Sequence, residues 1–354
     1  MEHLWKQNLR QIEPYVPGEQ SSDPDRIKLN ANENPYPPAP GVEAVLRSYD
    51  PAALCLYPDA NARLLKASIA RHYGVAPEQI FVGNGSDDVL ALAFQSFFNS
   101  DKPIAFPDIT YSFYPVWCRL FRIPFVTYPL TADFRIDPAD YAAPNGGVVL
   151  PNPNAPTSIG EDLPFVQALL EGNRDAVVII DEAYADFGGV SAVPLLADYP
   201  NLLVCGTFSK SRSLAGLRLG FAIGSAELIS VLEAVKNSYN SYTVDNLSLL
   251  CGAAAMDDEA YFAKTTAAVI TTRERVRRAL EQMGFSVLPS RTNFLFATKA
   301  GASMRELFLY LKQRHIYIRY FDLPRIDNYV RITIGTDAQM DAFLQGTEAF
   351  LRGE

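Results

Sequence analysis

Lys210 stands just past a short apolar run, 202–205, between Ser209 and Ser211. An amine there can act as a nucleophile toward a carbonyl if acidic and anion-binding groups lie close by. Asp181 and Tyr184, in the stretch DEAY, follow a second apolar run, 177–180. Gly83-Asn84-Gly85-Ser86-Asp87 follows a third, 80–82, and opens a helical stretch that reaches about residue 98. Two glycines let the backbone approach a ligand, and Ser86 can cap a helix whose N-terminus favours anions. This turn is not a GxGxxG dinucleotide motif, because residue 88 is aspartate. GTFSKS is not a P-loop either, since Ser209 occupies the place that motif reserves for glycine. Arg218, eight residues after Lys210, adds a planar cation suited to phosphate. Taken singly, the lysine also reads as a solvated loop residue and the turn as structural. Together, a lysine amine, an acid for a ring nitrogen and an anion cradle describe pyridoxal phosphate.

The elements that must position these groups are short runs of branched residues at 80–82, 104–106, 148–150, 177–180 and 202–205. Helical stretches such as 163–171 separate them, the signature of βαβ units with a sheet covered on both faces. Open α/β sheets bind ligands at the carboxyl ends of their strands, where the loop PNPNAPTS also falls. A long helical region is predicted from about 257 to 283, with Arg273, Glu274, Arg275, Arg277 and Arg278 on its exposed side. After Gly284, alternating segments (FSVLPS, TNFLFATK, IYIRYF, YVRITIG) surround a helix at 304–314 and make an α+β unit. The first 40 residues end in ENPYPPAP, which cannot hold a long helix or a central strand. They read as an arm lying on the tail unit or on a neighbouring subunit. The expected organisation is an arm at 1–40, a large α/β domain at 41–256 and a small α+β domain at 257–354.

Composition narrows the class. Lys and Arg number 31 against 40 Asp and Glu, a net charge of −9, which argues against nucleic acid or an anionic membrane as partner. No apolar run approaches the roughly 18 residues of a bilayer span, and the start lacks a signal pattern, so a cytoplasmic location is expected. Cys55, Cys118, Cys205 and Cys251 have no metal or redox spacing and are expected to be buried free thiols. With three histidines and no HExxH, no metal site is expected; His72 reads as the end of a helix.

LNANENP (29–35), PNPNAPT (151–157), DEAYADF (181–187), TFSKSRSLAGLRLG (207–220), TNF (292–294) and VRITIGT (330–336) resemble the fold-type-I aminotransferases. More narrowly they resemble the histidinol-phosphate aminotransferases, in family order over nearly the whole chain. The resemblance implies Lys210 as the Schiff-base lysine, Asp181 as partner of the pyridine nitrogen and Tyr184 as donor to the ring 3′ oxygen. It implies Tyr111 as the ring that stacks on the cofactor, with Gly85, Ser86, Asp87, Ser209 and Arg218 around its phosphate. Tyr57 resembles the tyrosine lent by the other subunit, implying a homodimer with a shared site. Arg331 resembles the arginine for the substrate's anionic group, and Arg319 and Tyr15 match positions near the donor's phosphate. Two positions depart from the family pattern: Ala155 stands where an asparagine faces the ring oxygen, and Ser158 replaces the closing glycine of that loop. Asn154, one place earlier, is the candidate substitute.

The implied reaction moves an amino group between L-histidinol phosphate and 2-oxoglutarate in ping-pong fashion. An aromatic amino-acid aminotransferase is the first alternative, since 18 tyrosines and 21 phenylalanines suit aromatic side chains equally. A pyridoxal-dependent phospho-amino-acid decarboxylase is the second. A cofactor-binding regulatory module without turnover finds no support in an acidic chain lacking a DNA-binding segment.

Overall fold

The computed structural model describes residues 3–15, 18–19, 22–142 and 144–354. Strand β1 (Ile27–Lys28) precedes helices α1 (Pro40–Ser48) and α2 (Arg63–Tyr73). Strand β2 (Ile80–Gly83) leads into α3 (Ser86–Phe97), and β3 (Ile104–Pro107) into α4 (Tyr114–Phe121). After β4 (Phe125–Tyr128), strand β5 (Gly147–Pro151) leads into α5 (Leu163–Glu171). Strands β6 (Val178–Asp181), β7 (Leu202–Thr207) and β8 (Gly220–Gly224) follow, then α6 (Ala226–Tyr239), α7 (Asn246–Asp257) and α8 (Glu259–Gln282). The tail holds β9 (Ser286–Val287), β10 (Phe294–Thr298), α9 (Met304–Gln313), β11 (Ile316–Tyr317), β12 (Arg319–Tyr320), β13 (Val330–Thr333) and α10 (Asp337–Arg352).

Seven strands form one sheet in the order β2-β8-β7-β6-β5-β3-β4. All neighbours from β7 to β4 run parallel, and β8 alone is antiparallel to both of its neighbours. Because side chains alternate along a strand, Val148, Leu150, Val178 and Ile180 fill one buried face while Val149, Ile179, Leu203 and Cys205 fill the other. Burial on both faces explains why these strands read as continuous apolar runs. The tail strands form an antiparallel sheet, β12-β13-β10-β9, with α8 and α9 packed on it and α10 packed on those two helices.

Several expectations need correcting. Strands β4 and β8 are additions to the five foreseen. β4 is an edge strand and only partly buried, and β8 is bounded by Gly220 and Gly224, so neither carries a strong apolar signal. The predicted 257–283 helix begins at Glu259, because Asp258 leaves the helical conformation and caps it by accepting from the Tyr261 amide at 3.0 Å. Arg273 is buried, not exposed. It falls on the stripe of Val269, Val276 and Leu280, and its Nη1 donates to the Phe187 and Thr292 carbonyls at 2.8 and 2.7 Å. Cys55 is exposed while the other three thiols are buried, because it lies in a short surface turn rather than a strand or helix interior.

The arm is not uniform. Residues 3–14 lie exposed, whereas 27–34 are built into the tail unit. β1 pairs in parallel with β11, Lys312 and Glu19 form an ion pair at 2.7 Å, and Leu29 sits in the same buried cluster as Ile316 and Ile332. His72 ends α2 beside Gly74, whose φ of 68° terminates the helix, and its Nδ1 lies 2.5 Å from Glu259. Among the described residues no helix is long and apolar enough to cross a membrane, and no group of His, Cys, Asp and Glu is arranged to hold a metal ion.

Candidate active site

The carboxyl ends of β5, β6 and β7, the N-terminus of α3 and the 28–33 segment enclose a cavity of about 390 Å³. Asp181 and Ser209 line it, as do Ser86, Asp87, Tyr111, Tyr184, Lys210 and Arg218; Tyr15, Arg319 and Arg331 line the end formed by the tail unit. Residues from Tyr15 to Arg331 thus meet, because the parallel strands present their carboxyl ends on one edge and the arm and tail unit line the other end.

Lys210, three residues past β7, directs Nζ into this space and reaches the Ala31 carbonyl at 3.3 Å. Asp181 ends β6 and is buried. Its Oδ1 accepts from the Ala183 amide at 3.1 Å and its Oδ2 from the Tyr114 hydroxyl at 3.1 Å. Burial pushes its carboxyl up to about 6, opposed by those two hydrogen bonds. A cation facing Asp181 would offset that desolvation, which is the environment a protonated ring nitrogen requires.

The anion cradle is tight. Gly85 has φ 87°, and a Cβ there would lie 2.7 Å from Arg218 Nη2. A Cβ on Gly220 would lie 2.4 Å from both the Gly85 carbonyl carbon and the Ser86 nitrogen. Gly85, just before α3, and Gly220, the first residue of β8, therefore let the first-turn amides of α3 and the Arg218 guanidinium share one small volume. Asp87 lies between Tyr111, which donates to it at 2.7 Å, and Arg218, which approaches it at 3.3 Å. This arrangement fits a phosphate group: backbone donors, a helix N-terminus and a forked cation converge on it.

At the other end, Arg331 on β13 donates to the Asn30 carbonyl at 3.0 Å, while its buried Nε has no protein partner among the described residues. Burial lowers its pKa, and the neighbouring Arg319 charge acts in the same direction. A buried guanidinium with an unused donor beside a second arginine has the chemistry to accept an anion. Arg319 pairs with Arg331 across β12 and β13, and Tyr15 stacks on Phe113 with ring centroids 4.2 Å apart.

Three expected residues do not line the cavity: Gly85, whose backbone packs behind Ser86 and Arg218, Asn154 and Tyr57. Asn154 is turned inward: Nδ2 donates to Ile109 O at 3.0 Å and Thr157 Oγ1 at 2.9 Å, and Oδ1 accepts from Thr110 at 3.3 Å. Its hydrogen bonds hold the 151–158 loop, so it does not replace the missing asparagine; Ala155 and Pro156 form the wall instead. Ser158 adopts φ 68°, the conformation for which the usual glycine is suited. Tyr57 is 78% exposed and stacks on Tyr242 at 4.5 Å, away from its own subunit's cavity. Sequence reasoning assigned no role to Asn32, Tyr114 or Gly220. Tyr114 lay legible in TYSFY, three residues from Tyr111, and Gly220 in LRLG; nothing local marked either one's partner.

The aminotransferase class I and II family model matches residues 24–346. The chain belongs to that family. Within it, the chain is 51% identical over 352 residues to the histidinol-phosphate aminotransferase of Chromohalobacter salexigens, covering 99% of this chain and 100% of that one. It is 52% identical over 346 residues to histidinol-phosphate aminotransferase 2 of Dechloromonas aromatica, covering 97% of each. A crystal structure of histidinol-phosphate aminotransferase from Sinorhizobium meliloti in complex with pyridoxal-5′-phosphate superposes with a TM-score of 0.82 at 26% identity, over 92% of this chain and 90% of that one. An L-threonine-O-3-phosphate decarboxylase from Porphyromonas gingivalis shares the fold, with a TM-score of 0.79 at 22% identity, over 92% and 99%. The chain is therefore a fold-type-I aminotransferase.

Behind the cavity of this aminotransferase, Glu182 is buried beside Tyr73, Asp186 and Arg212, accepting from the Ala192 amide at 2.5 Å. Burial pushes its carboxyl up to about 8. The folded state thus holds a proton that the unfolded chain releases above about 4.5, so stability present at acid pH is lost as pH rises toward 8; Asp181 adds the same sign at lower pH. Glu182→Gln keeps the shape and the acceptor and removes the charge. Without cofactor, it should match the parent at pH 5 and exceed it at pH 8 by about 2–4 kcal/mol in urea unfolding. A difference independent of pH would refute this.

Proposed function

We propose that the chain transfers the amino group of L-histidinol phosphate to 2-oxoglutarate, giving imidazole acetol phosphate and glutamate, a step of histidine biosynthesis, with pyridoxal 5′-phosphate as cofactor. One observation carries this reading: a single cavity has a lysine amine, a buried carboxylate and an anion cradle at one end and paired arginines at the other. Identity above 50% over the full length of relatives bearing that name supports it.

Bound pyridoxal phosphate would supply an electron sink for the carbanion formed at the substrate carbon. Lys210 Nζ would take the proton from that carbon and hold it for return, as general base and acid. Asp181, ionised, would face the ring nitrogen of the bound group and favour its protonated form. Tyr184 would donate to its ring oxygen and Tyr111 would cover its ring face. The backbone amides of Gly85 and Ser86 would hold the phosphate together with Ser209 and Arg218, and Asp87 orients Arg218. Arg331 takes the anionic end of either substrate, phosphate in one half-reaction and carboxylate in the other, because its fork suits both. Arg319 and Tyr15 complete the phosphate end of the donor. Tyr57 serves a second copy of the chain, so the working form is a homodimer that needs neither nucleic acid nor membrane and acts in the cytoplasm. The large domain spans 41–256 and the small domain 257–354, with residues 27–34 of the 1–40 arm serving the small domain.

The aromatic walls at the substrate end, Tyr15 on Phe113 and Phe321 beside Arg331, would also accept an aromatic amino acid. Steady-state kinetics on Arg319→Ala separates the two. Removing one charge-assisted contact of about 1.5–3 kcal/mol should raise KM for histidinol phosphate about ten- to a hundredfold while that for phenylalanine changes little. Equal losses on both donors, or none, would favour the aromatic aminotransferase.

A further inference from the structure

We propose that Asn32 is a positioning residue that sets the direction of the Tyr184 hydrogen bond and so aims that hydroxyl at the cofactor ring; this rests on the cofactor reading above.

Asn32 is 1% exposed and sits at φ 55°, a left-handed conformation that asparagine tolerates better than most residues. Its backbone amide donates to Thr333 Oγ1 at 3.0 Å. That hydroxyl oxygen is then an acceptor toward Asn32, so its own hydrogen is free to donate to Asn32 Oδ1, 2.9 Å away. The amide orientation follows: the oxygen faces Thr333, and the NH₂ faces Tyr184 Oη at 2.9 Å. Tyr184 Oη accepts there, and no described protein group accepts its hydrogen, which is left for the cavity that Tyr184 lines. The Asn32 carbonyl is taken by Asn293 Nδ2 at 2.9 Å, so Asn32 is fixed by the tail unit at three atoms.

The neighbouring wall gives this arrangement its weight. Ala155 and Pro156 bear no side-chain donor, and Asn154 spends both amide hydrogens on Ile109 and Thr157. With that donor gone, the direction of the Tyr184 hydroxyl decides how well the ring oxygen is stabilised as an anion. A weaker bond leaves more charge on that oxygen and raises the proton affinity of the chromophore attached to Lys210.

The test is a spectrophotometric pH titration of the bound chromophore in parent, Asn32→Gly, Tyr184→Phe and the double variant. Cofactor affinity is measured by fluorescence quenching of the cofactor-free forms. Glycine keeps the left-handed backbone and removes only the amide. Asn32→Gly should raise the chromophore's proton affinity three- to tenfold, and the same change in the Tyr184→Phe background should add nothing. An unchanged titration, or an equal further shift without the hydroxyl, would overturn the proposal, since a purely structural asparagine acts independently of Tyr184. If Asn32→Gly does not fold, Asn32→Asp takes its place: it keeps the shape and turns the donor into an acceptor that captures the Tyr184 hydrogen. It should raise the proton affinity at least as much, and less in the Tyr184→Phe background; no rise, or an equal one there, would overturn the proposal. A parent protein that takes up no pyridoxal phosphate and shows no chromophore would sink the cofactor reading itself, and this inference with it.

Discussion

Lys210→Ala should yield a folded protein with no measurable transamination, a loss of more than about a thousandfold, because both the nucleophile and the proton carrier vanish together. The side chain's recorded hydrogen bond is a 3.3 Å contact to the Ala31 carbonyl, at the wall of a cavity water can enter, so truncation leaves no buried group stranded. Thermal unfolding should accordingly shift by only a few degrees. Borohydride should fix the parent's chromophore covalently on the peptide holding Lys210, and the variant should take up no label. Label on another peptide, or turnover within tenfold of the parent, would remove Lys210 from the role assigned to it.

The second large effect concerns two damaged proteins that repair each other. Tyr57 is exposed and stacked on Tyr242, and Leu54, Leu56, Leu64 and Tyr239 nearby are exposed as well. An apolar surface of this kind is suited to a second copy of the chain. A Lys210→Ala subunit would lack its own lysine but lend an intact Tyr57 to its neighbour. A Tyr57→Glu subunit would keep its lysine while setting a negative charge against the neighbour's phosphate. Each variant alone should be nearly inactive. Refolded together in equal amounts, they should form mixed dimers with one doubly damaged site and one intact site, restoring roughly a quarter of all sites on random reassortment. If Tyr57 served its own subunit, every mixed site would carry one lesion. Activity near zero with mixed dimers demonstrably present would exclude the shared site.

Much of the active site was legible in the sequence because its groups sit at strand ends, and strands buried on both faces announce themselves as apolar runs. Asp181, Tyr184, Ser86 and Lys210 each follow such a run by a few residues, and local chemistry already suggests amine, acid and anion cradle. The pairing of these runs in the order β5, β6, β7 was not legible, since register depends on contacts between distant segments. Arg273 shows the same limit on a helix. Its charge argues for solvent, but its place on the stripe of Val269, Val276 and Leu280 and two distant carbonyl acceptors overrule that.

What the sequence determined by itself was the kind of chemistry and the order of the parts, because residue type and spacing along one strand or turn suffice for both. Tertiary structure alone decided which asparagine reaches Tyr184 in the cavity. Asn154, adjacent to the vacated position, is drawn into hydrogen bonds with Ile109 and Thr157, since a buried amide must satisfy its donors where partners exist. Asn32, more than a hundred residues earlier in the chain, is carried to Tyr184 because β1 joins β11 and Thr333 lies at the end of β13. No spacing rule links residues 32, 184 and 333; only the packed tail unit brings their donors and acceptors within reach of one another.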